Sequence, residues 1–452
     1  MSRTVIACVL CLLLAGCTAP TAPSQTPTPE TGGPNATAES KTSGEADDDS
    51  ATNRSALADI PVSGGSLPVE HERVFARTTD LLGVNVSPPT VVVVKPASEI
   101  GGTGGGAGED SSGGKSARTF ADVMGISGGE SADSEERGDG ESDGDGGNSG
   151  VSVAAYAPSA HSVVVNERMT VAGREGPLER TMAHEFVHTV QFRQQAFSRT
   201  QTALGADRTP TRDTYLTYAS IVEGTAAFVG ETYDRRYLAG DWATITDAER
   251  YRSSPARVKY KIARYYFGVR YLRHRYDSPA NLSAVYDDPP QTTEQVLHND
   301  TDDSEKPKSL AVSVDAGQNR TLGRTDTYGE LFTRIALGTE MNESQAADAA
   351  AGWGADRLVP VTGPNGTRSY VWATRWDSSA EADEFESGMR EYLSSRANRS
   401  GGTWRDDEVA LRSVQTSEET VVLLVGTESF VSGANASGTN ASVSVVTGDD
   451  HR

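Results

Sequence analysis

The chain has 452 residues, 36 % of them hydrophobic, and a formal net charge of −22. This length allows two or three domains, but the low hydrophobic content indicates that part of the chain is unstructured. The lack of a dense basic patch argues against a nucleic-acid partner. All three cysteines lie within the first 17 residues, which excludes a cysteine protease and a cysteine zinc cluster.

Residues 1–17 have the pattern of a lipoprotein signal peptide. The apolar run from Val5 to Leu14 is too short to cross a bilayer. It ends in Leu-Ala-Gly-Cys, which resembles a lipobox, where Cys17 is lipidated and becomes the mature N-terminus. The alternative is an uncleaved short anchor. Both interpretations place the bulk of the chain outside the cell, and lipidation of Cys17 would hold it on the outer face of the membrane.

Two segments have the composition of disordered chain. Residues 18–60 are rich in Thr, Pro, Ser and Asp and are predicted to be a disordered tether. Residues 101–150 are rich in glycine and acidic residues and are predicted to be a disordered insertion within a folded domain that spans 61–355. No calcium-binding loop of the EF-hand type fits the acidic run in this insertion.

The first folded elements are predicted from periodicity. The stretch from Val69 to Gly83 has helical spacing, and "TVVVVKPA" after it is a β-branched strand. Beyond the insertion, "VSVAAYAP" and "HSVVVNE" alternate like a hairpin. The period then changes to 3.6 residues in "PLERTMAHEFVHTVQF", with Gly176 and Pro177 at the predicted helix start.

This helix carries a His-Glu-x-x-His motif. His184 and His188 are one turn apart, so both imidazoles project from one face at a separation that one zinc ion can bridge. Glu185 is rotated by about 100° and can reach a metal-bound water without binding the metal. These residue types suit peptide hydrolysis, with Glu185 as general base. The alternative is two exposed histidines on an amphipathic helix.

A catalytic zinc ion needs a third protein ligand. Gln191 and Gln194 stand where the metzincin pattern has Gly and His, which excludes that subclass. The next strong helical pattern carries Glu223 among small and apolar residues, which would let its helix pack closely on the histidine helix. Glu223 is therefore the candidate ligand, with Glu231 and Asp234 as rivals and a simple salt bridge as the alternative.

The combination "HEFVHTVQ" and "VEGTAAF" resembles the gluzincin metalloproteases of the peptidase-MA-like group. More widely, residues 65–426 resemble haloarchaeal surface lipoproteins that carry this core, and the acidic, lysine-poor composition resembles that of halophilic proteins. The resemblance implies zinc bound by His184, His188 and Glu223, with Glu185 as the base. The separation of His188 from Glu223 is longer than in thermolysin-like enzymes.

The resemblance also implies a fold. It is an α+β fold with a zincin-like catalytic domain, made of a small sheet and the active-site helices, then a mainly helical part. In zincin-like folds the edge strand before the histidine helix aligns the substrate, and "HSVVVNE" is predicted to be that strand. The sequence leaves the donor to the oxyanion open among six residues: Tyr215, Tyr218, Tyr265, Tyr266, His161 and Arg264.

Residues 356–426 are predicted to form a small α+β module of two strands, a helix and two more strands. The Gly-, Ser- and Asn-rich segment 427–452 is predicted to be a flexible tail. Sequons such as Asn35 and Asn281 suit a glycosylated surface protein.

Together these patterns predict a lipid-anchored, zinc-dependent metalloendopeptidase at the cell surface that hydrolyses a polypeptide substrate. Two alternatives stay open. One is a surface or envelope protein that keeps the metal for stability, and the other is a glycosylated structural lipoprotein without metal. The sequence does not indicate an oligomeric state.

Overall fold

The computed structural model describes residues 57–100, 118–126, 153–205, 209–238, 246–301, 304–406 and 409–448. The predicted signal peptide with Cys17, most of the tether and most of the 101–150 insertion lie outside these residues. Over the described ranges the fold is α+β, as predicted, with three β-sheets. None of the helices in these ranges combines the length and apolar character needed to cross a membrane.

The first sheet has the strand order β1-β2-β4-β3. Its strands are β1 (Val62–Ser63), β2 (Val91–Lys95), β3 (Ala155–Ser159) and β4 (Ser162–Asn166). The predicted β-branched strand is β2, and its partner β4 runs parallel to it while β3 pairs antiparallel to β4. The hairpin is confirmed, but "HSVVVNE" is not the edge strand. β4 lies inside the sheet, and β3 forms the edge within the described residues.

Helices between residues 71 and 298 pack on this sheet and on one another. They are α1 (His71–Leu82), α2 (Phe120–Val123), α3 (Glu175–Arg193), α4 (Ala196–Ala203), α5 (Arg212–Tyr237), α6 (Ala248–Ser253), α7 (Ala256–Arg275) and α8 (Thr293–His298). A 3-10 helix, Pro279–Tyr286, lies between α7 and α8. α3 packs between α1 and α5, and α5 also packs along α7. This arrangement buries the middle of α3 and α5 together.

Part of the predicted disordered insertion is folded. Residues 118–126 contain α2, and a capping box formed by Thr119 and Asp122 begins this helix. Phe120 is 1 % exposed, and its ring lies 5.3 Å from that of Tyr328 and 5.4 Å from that of Trp372. The prediction of disorder across 101–150 is therefore wrong for this segment, because one aromatic residue anchors it in the core.

The second sheet has seven strands in the order β6-β7-β8-β12-β11-β10-β9. They are β6 (Thr321–Leu322), β7 (Trp353–Thr362), β8 (Arg368–Trp376), β9 (Asn398–Ser400), β10 (Thr403–Asp406), β11 (Val409–Ser417) and β12 (Thr420–Gly426). The accompanying helices are α9 (Gly329–Leu337), α10 (Glu343–Ala350) and α11 (Ser379–Arg396). This sheet extends past the N-terminal boundary of the predicted 356–426 module.

The third sheet has the order β13-β14-β5. It contains β5 (Ala311–Asp315), β13 (Asn435–Thr439) and β14 (Ser442–Val446), and α12 (Glu428–Gly433) precedes β13. β14 pairs parallel to β5, and both Val443 and Val445 are fully buried. The prediction of a flexible tail is therefore wrong for residues 427–448.

Candidate metal centre

The predicted histidine helix is α3, and it starts at Glu175, slightly ahead of the predicted Gly176 cap. Its middle is buried on every face: His184, Glu185 and His188 are 6 %, 1 % and 4 % exposed. The ring of Phe186 packs edge-on against Phe75 of α1 at 5.3 Å. Two exposed histidines on an amphipathic surface helix are therefore excluded.

The predicted second helix is α5, which begins at Arg212 after a Thr211 side-chain cap. Glu223 lies near its centre and is 1 % exposed. The glycine beside it, Gly224, contacts Gly268 of α7, where an added Cβ would come within 2.7 Å of the backbone. The Glu223 helix packs on the histidine helix as expected, but Gly224 itself faces α7 and brings that helix close.

Three potential ligand atoms converge between α3 and α5. The His184 Nε2 and His188 Nε2 atoms are 3.2 Å apart. Glu223 Oε2 lies 3.4 Å from His184 Nε2 and 3.5 Å from His188 Nε2. A tetrahedral zinc ion with bonds of about 2.0–2.1 Å requires ligand atoms about 3.3–3.4 Å apart. The three side chains therefore fit a single zinc ion and leave one tetrahedral corner for water. We call these three residues the histidine–glutamate centre.

The rivals of Glu223 have other partners. Glu231 is hydrogen-bonded to Arg273 and Thr246. Asp234 pairs with Arg180 at 3.4 Å. Neither belongs to the cluster of ligand atoms around the two histidines, so the structure singles out Glu223 among the three predicted carboxylates.

A glutamine sets the orientation of the His188 ring. His188 Nδ1 lies 2.7 Å from Gln191 Oε1, an atom that only accepts hydrogen bonds, so Nδ1 carries the proton. The Gln191 amide is itself oriented, since its Nε2 donates to the Val222 carbonyl at 2.9 Å and to Tyr286 Oη at 3.1 Å. This network leaves His188 Nε2 as the ligand atom, the usual role of a second partner around a metal.

The role of Gln191 was missed by the sequence interpretation, which read this residue only as a departure from the metzincin pattern. Its spacing was informative, because a residue three positions after His188 lies one helical turn further along the same face. Tyr286 carried no comparable signal, since it is 95 residues away from Gln191 in the chain.

The electrostatics of the centre favour a bound cation. Burial opposes ionisation of Glu223, but hydrogen bonds from His184 and His188 outweigh it and hold the pKa of Glu223 well below its usual range. Burial also disfavours protonated His188, yet the hydrogen bond and charge of Glu223 raise the pKa of His188 to about 9. The metal-free centre thus holds a positive charge beside Glu223, in the place where a metal ion would supply one.

Glu185 has no assigned partner in the centre. Neither of its buried carboxylate oxygens accepts a hydrogen bond from the described residues. Its negative charge contributes to the raised pKa of His188, after the contributions of Glu223. A buried carboxylate without a donor is costly, and a metal-bound water is a donor that would satisfy it.

Two of the predicted oxyanion donors lie at this centre. Arg264 is partly buried, and its charge helps to lower the pKa of Glu223. The ring of Tyr265 lies 6.2 Å from that of His184. His161 lies instead in the exposed turn between β3 and β4, within 3.5 Å of Thr90.

Residues 319–434 match a sequence family described as "Domain of unknown function (DUF8575)". The match covers the second sheet and its helices, and it begins after Glu223 in the chain, so it does not include the histidine–glutamate centre. No curated protein matches the chain. No solved structure matches it.

Proposed function

We propose that the chain is a zinc-dependent metallopeptidase of the gluzincin type, with a zincin-like catalytic domain. The observation that carries the proposal is the triangle of His184 Nε2, His188 Nε2 and Glu223 Oε2, whose sides of 3.2–3.5 Å suit one tetrahedral zinc ion. Imidazole and carboxylate are ligands that zinc accepts.

In this proposal His184, His188 and Glu223 hold Zn²⁺, which when bound lowers the pKa of a water and polarises the substrate carbonyl. Gln191 keeps the His188 ring in the ligating orientation through the 2.7 Å hydrogen bond. The depressed pKa of Glu223 keeps its carboxylate ionised and ready to bind the metal at neutral pH.

Glu185 is the proposed general base. It follows His184 directly, is 1 % exposed and accepts no hydrogen bond within the described residues. Such a carboxylate can take a proton from water and later return it to the leaving amine. Arg264 and Tyr265 are the groups proposed to stabilise the oxyanion that forms from the substrate carbonyl, because they lie beside Glu223 and His184.

The proposed substrate is an extended polypeptide. β3 is the edge of the first sheet within the described residues, and α3 packs against it. An edge strand can add an extended peptide through backbone hydrogen bonds, with little demand on its sequence. This moves the predicted substrate-aligning role from "HSVVVNE" to Ala155–Ser159.

The proposed location is the outer face of the cell membrane, with the lipid anchor on Cys17. This part of the proposal rests on the Leu-Ala-Gly-Cys sequence alone. Mass spectrometry of the membrane fraction tests it: a lipidated N-terminal Cys17 is expected, and an unmodified N-terminus that retains residues 1–16 would refute it.

The first experiment measures bound zinc in the purified chain and in its Glu223→Ala variant. We expect one zinc ion per parent chain and a large loss in Glu223→Ala. Glu231→Ala is the matched control, because Glu231 lies on the same helix but pairs with Arg273, and it should retain the zinc.

The second experiment tests catalysis with an unfolded polypeptide substrate. The zinc-loaded parent should cleave it, whereas Glu185→Gln should keep its zinc and lose cleavage. A folded parent that binds no zinc refutes the metal centre. A parent that binds zinc but cleaves no unfolded polypeptide refutes the peptidase activity and favours a structural metal.

A further inference from the structure

A second cluster of potential ligands lies away from the histidine–glutamate centre. Glu294 of α8, Glu305 and Asp377 each offer a carboxylate oxygen, and the three oxygens lie within 4.8 Å of one another. Asp377 follows β8 directly and precedes the start of α11. We call these three residues the carboxylate cluster. The carboxylate cluster links α8 and Glu305 to the end of β8 in the second sheet.

The decisive member of the cluster is Glu294. It is 1 % exposed, and neither of its carboxylate oxygens has a hydrogen-bond partner among the described residues. No described lysine or arginine forms an ion pair with it. Burial of a carboxylate without a donor or a counter-ion is costly, so buried carboxylates are normally paired or bind metals.

The surroundings make the cluster more negative. Glu330 is fully buried, uses one carboxylate oxygen to pair with His298 at 2.9 Å, and leaves its other oxygen without a partner. Lys308 lies 3.5 Å from Asp377 and 3.8 Å from Glu419, so its charge is shared.

Burial, followed by the charges of Glu330, Asp377 and Glu305, raises the pKa of Glu294 to about 10. Asp213 adds to the same effect. Lys308 and His298 leave part of this negative charge without a positive partner. A cation bound between Glu294, Glu305 and Asp377 would offset it.

The backbones that carry the three carboxylates are held in place. The Glu305 amide donates to Asp300 Oδ2, and the Glu305 carbonyl accepts from Gln295 Nε2, both at 3.0 Å. The Asp377 carbonyl accepts from Lys308 Nζ at 2.7 Å. The Asp377 side chain retains 31 % exposure, which gives an ion a path from solvent. The cluster is therefore a fixed and accessible set of ligands.

We infer that Glu294, Glu305 and Asp377 form a binding site for a calcium ion that ties α8 to the junction between β8 and α11. An all-carboxylate set favours hard cations over zinc. Ca²⁺ binds oxygens at 2.3–2.6 Å, so its ligand shell is about 4.6–5.2 Å across, whereas that of Mg²⁺ is about 4.0–4.2 Å. The three oxygens lie within 4.8 Å of one another, which suits either ion. Three protein carboxylates favour Ca²⁺, because Mg²⁺ usually keeps several waters and binds only one or two carboxylates.

The test titrates the zinc-loaded full chain with Ca²⁺ by calorimetry and with Tb³⁺, a luminescent substitute for Ca²⁺. Trp376 adjoins Asp377 and is buried, so bound Tb³⁺ should emit when tryptophan is excited. We expect one saturable Ca²⁺ site that also raises the melting temperature, and Ca²⁺ should quench the Tb³⁺ emission.

The matched variants are Glu294→Gln, Asp377→Asn and, as a control, Glu384→Gln at an exposed position of α11. Glu294→Gln replaces the carboxyl by a neutral amide of the same shape, so this variant should fold. We expect Glu294→Gln and Asp377→Asn each to weaken Ca²⁺ binding at least tenfold and to keep their zinc, and Glu384→Gln to match the parent.

Three outcomes overturn the inference. They are the absence of saturable Ca²⁺ binding in the parent, equal binding in the parent and Glu294→Gln, and tighter binding of Mg²⁺ than of Ca²⁺. Weak Ca²⁺ binding by the acidic residues of 101–150 is common to all variants. The titration of Glu294→Gln is therefore subtracted from that of the parent as background.

Discussion

The histidine–glutamate centre and the carboxylate cluster are both buried ligand sets, but they balance charge differently. In the first, two imidazoles surround one carboxylate, and the pKa of Glu223 is lowered. In the second, like charges meet, and the pKa of Glu294 is raised to about 10. The first set therefore carries a positive charge of its own beside its carboxylate, whereas in the second the repulsion is offset by a proton on Glu294 or by a hard cation.

The largest expected difference between the two sets is catalytic. Glu185→Gln should lower kcat about 10²- to 10⁴-fold, the range for loss of a general base. Asp377→Asn in the carboxylate cluster should change kcat less than twofold. Steady-state cleavage assays on both variants, with zinc content measured in parallel, make this comparison. Comparable losses of kcat in the two variants would mean that the sets do not have separate roles.

The second difference concerns pH. In the metal-free protein the pKa of His188 is about 9, so a proton must leave before its Nε2 can bind zinc. Apparent zinc affinity should therefore rise about tenfold from pH 7 to 8 and less steeply from pH 8 to 9, or about 50-fold in all. Competition with a chelator at each pH measures this, and a flat profile would show that His188 is already neutral at pH 7.

The same pKa predicts an opposite trend in metal-free stability. A pKa raised above 6.5 in the folded state stabilises the fold below about pH 6.5, and this contribution is lost as pH rises through 9. Denaturant unfolding of the metal-free chain should thus show stability falling over this interval, while zinc affinity rises.

The third test addresses Gln191, which orients His188 by a 2.7 Å hydrogen bond. Gln191→Ala should weaken zinc binding about 10- to 100-fold, as expected for loss of an outer-shell partner. Gln194→Ala, one turn on at the helix end, is the control and should bind zinc like the parent. Calcium binding should be the same in both variants, and a joint loss would indicate general unfolding.

The smallest expected effect concerns the contact between α5 and α7, which holds Glu223 in place. Gly268→Ala should destabilise the fold by ~1–3 kcal/mol, because its Cβ would overlap the Ser220 carbonyl oxygen. Gly230→Ala is the matched control: its Cβ would lie 3.8 Å from the nearest atoms and alanine favours helix, so stability should hold or rise. Thermal unfolding compares them, and equal melting temperatures would contradict the close contact.

The sequence predicted the helices of the histidine–glutamate centre because their signals are local. His184 and His188 are one turn apart, and helical periodicity runs through both α3 and α5. The residue types then restricted the chemistry. Glu223 was harder to select from sequence, because Glu231 and Asp234 share its helix and only the three-dimensional partners separate them.

Non-local pairing escaped the sequence interpretation. Strand order is set by partners far apart in the chain, so the local alternation of β4 does not reveal that β2 and β3 flank it. β14 was read as tail from its Ser and Asn content, although Val443 and Val445 alternate as in a half-buried strand. The carboxylate cluster has no spacing rule, since α8, Glu305 and Asp377 meet only in the folded chain.

The pairing of β14 with β5 also sets an order in time. Ser313 and Val443 hydrogen-bond across the two strands, yet they are 130 residues apart in the chain. During synthesis, β5 emerges long before its partner β14 and stays without it, with exposed backbone groups. The third sheet therefore closes late, after nearly the whole chain has been synthesised.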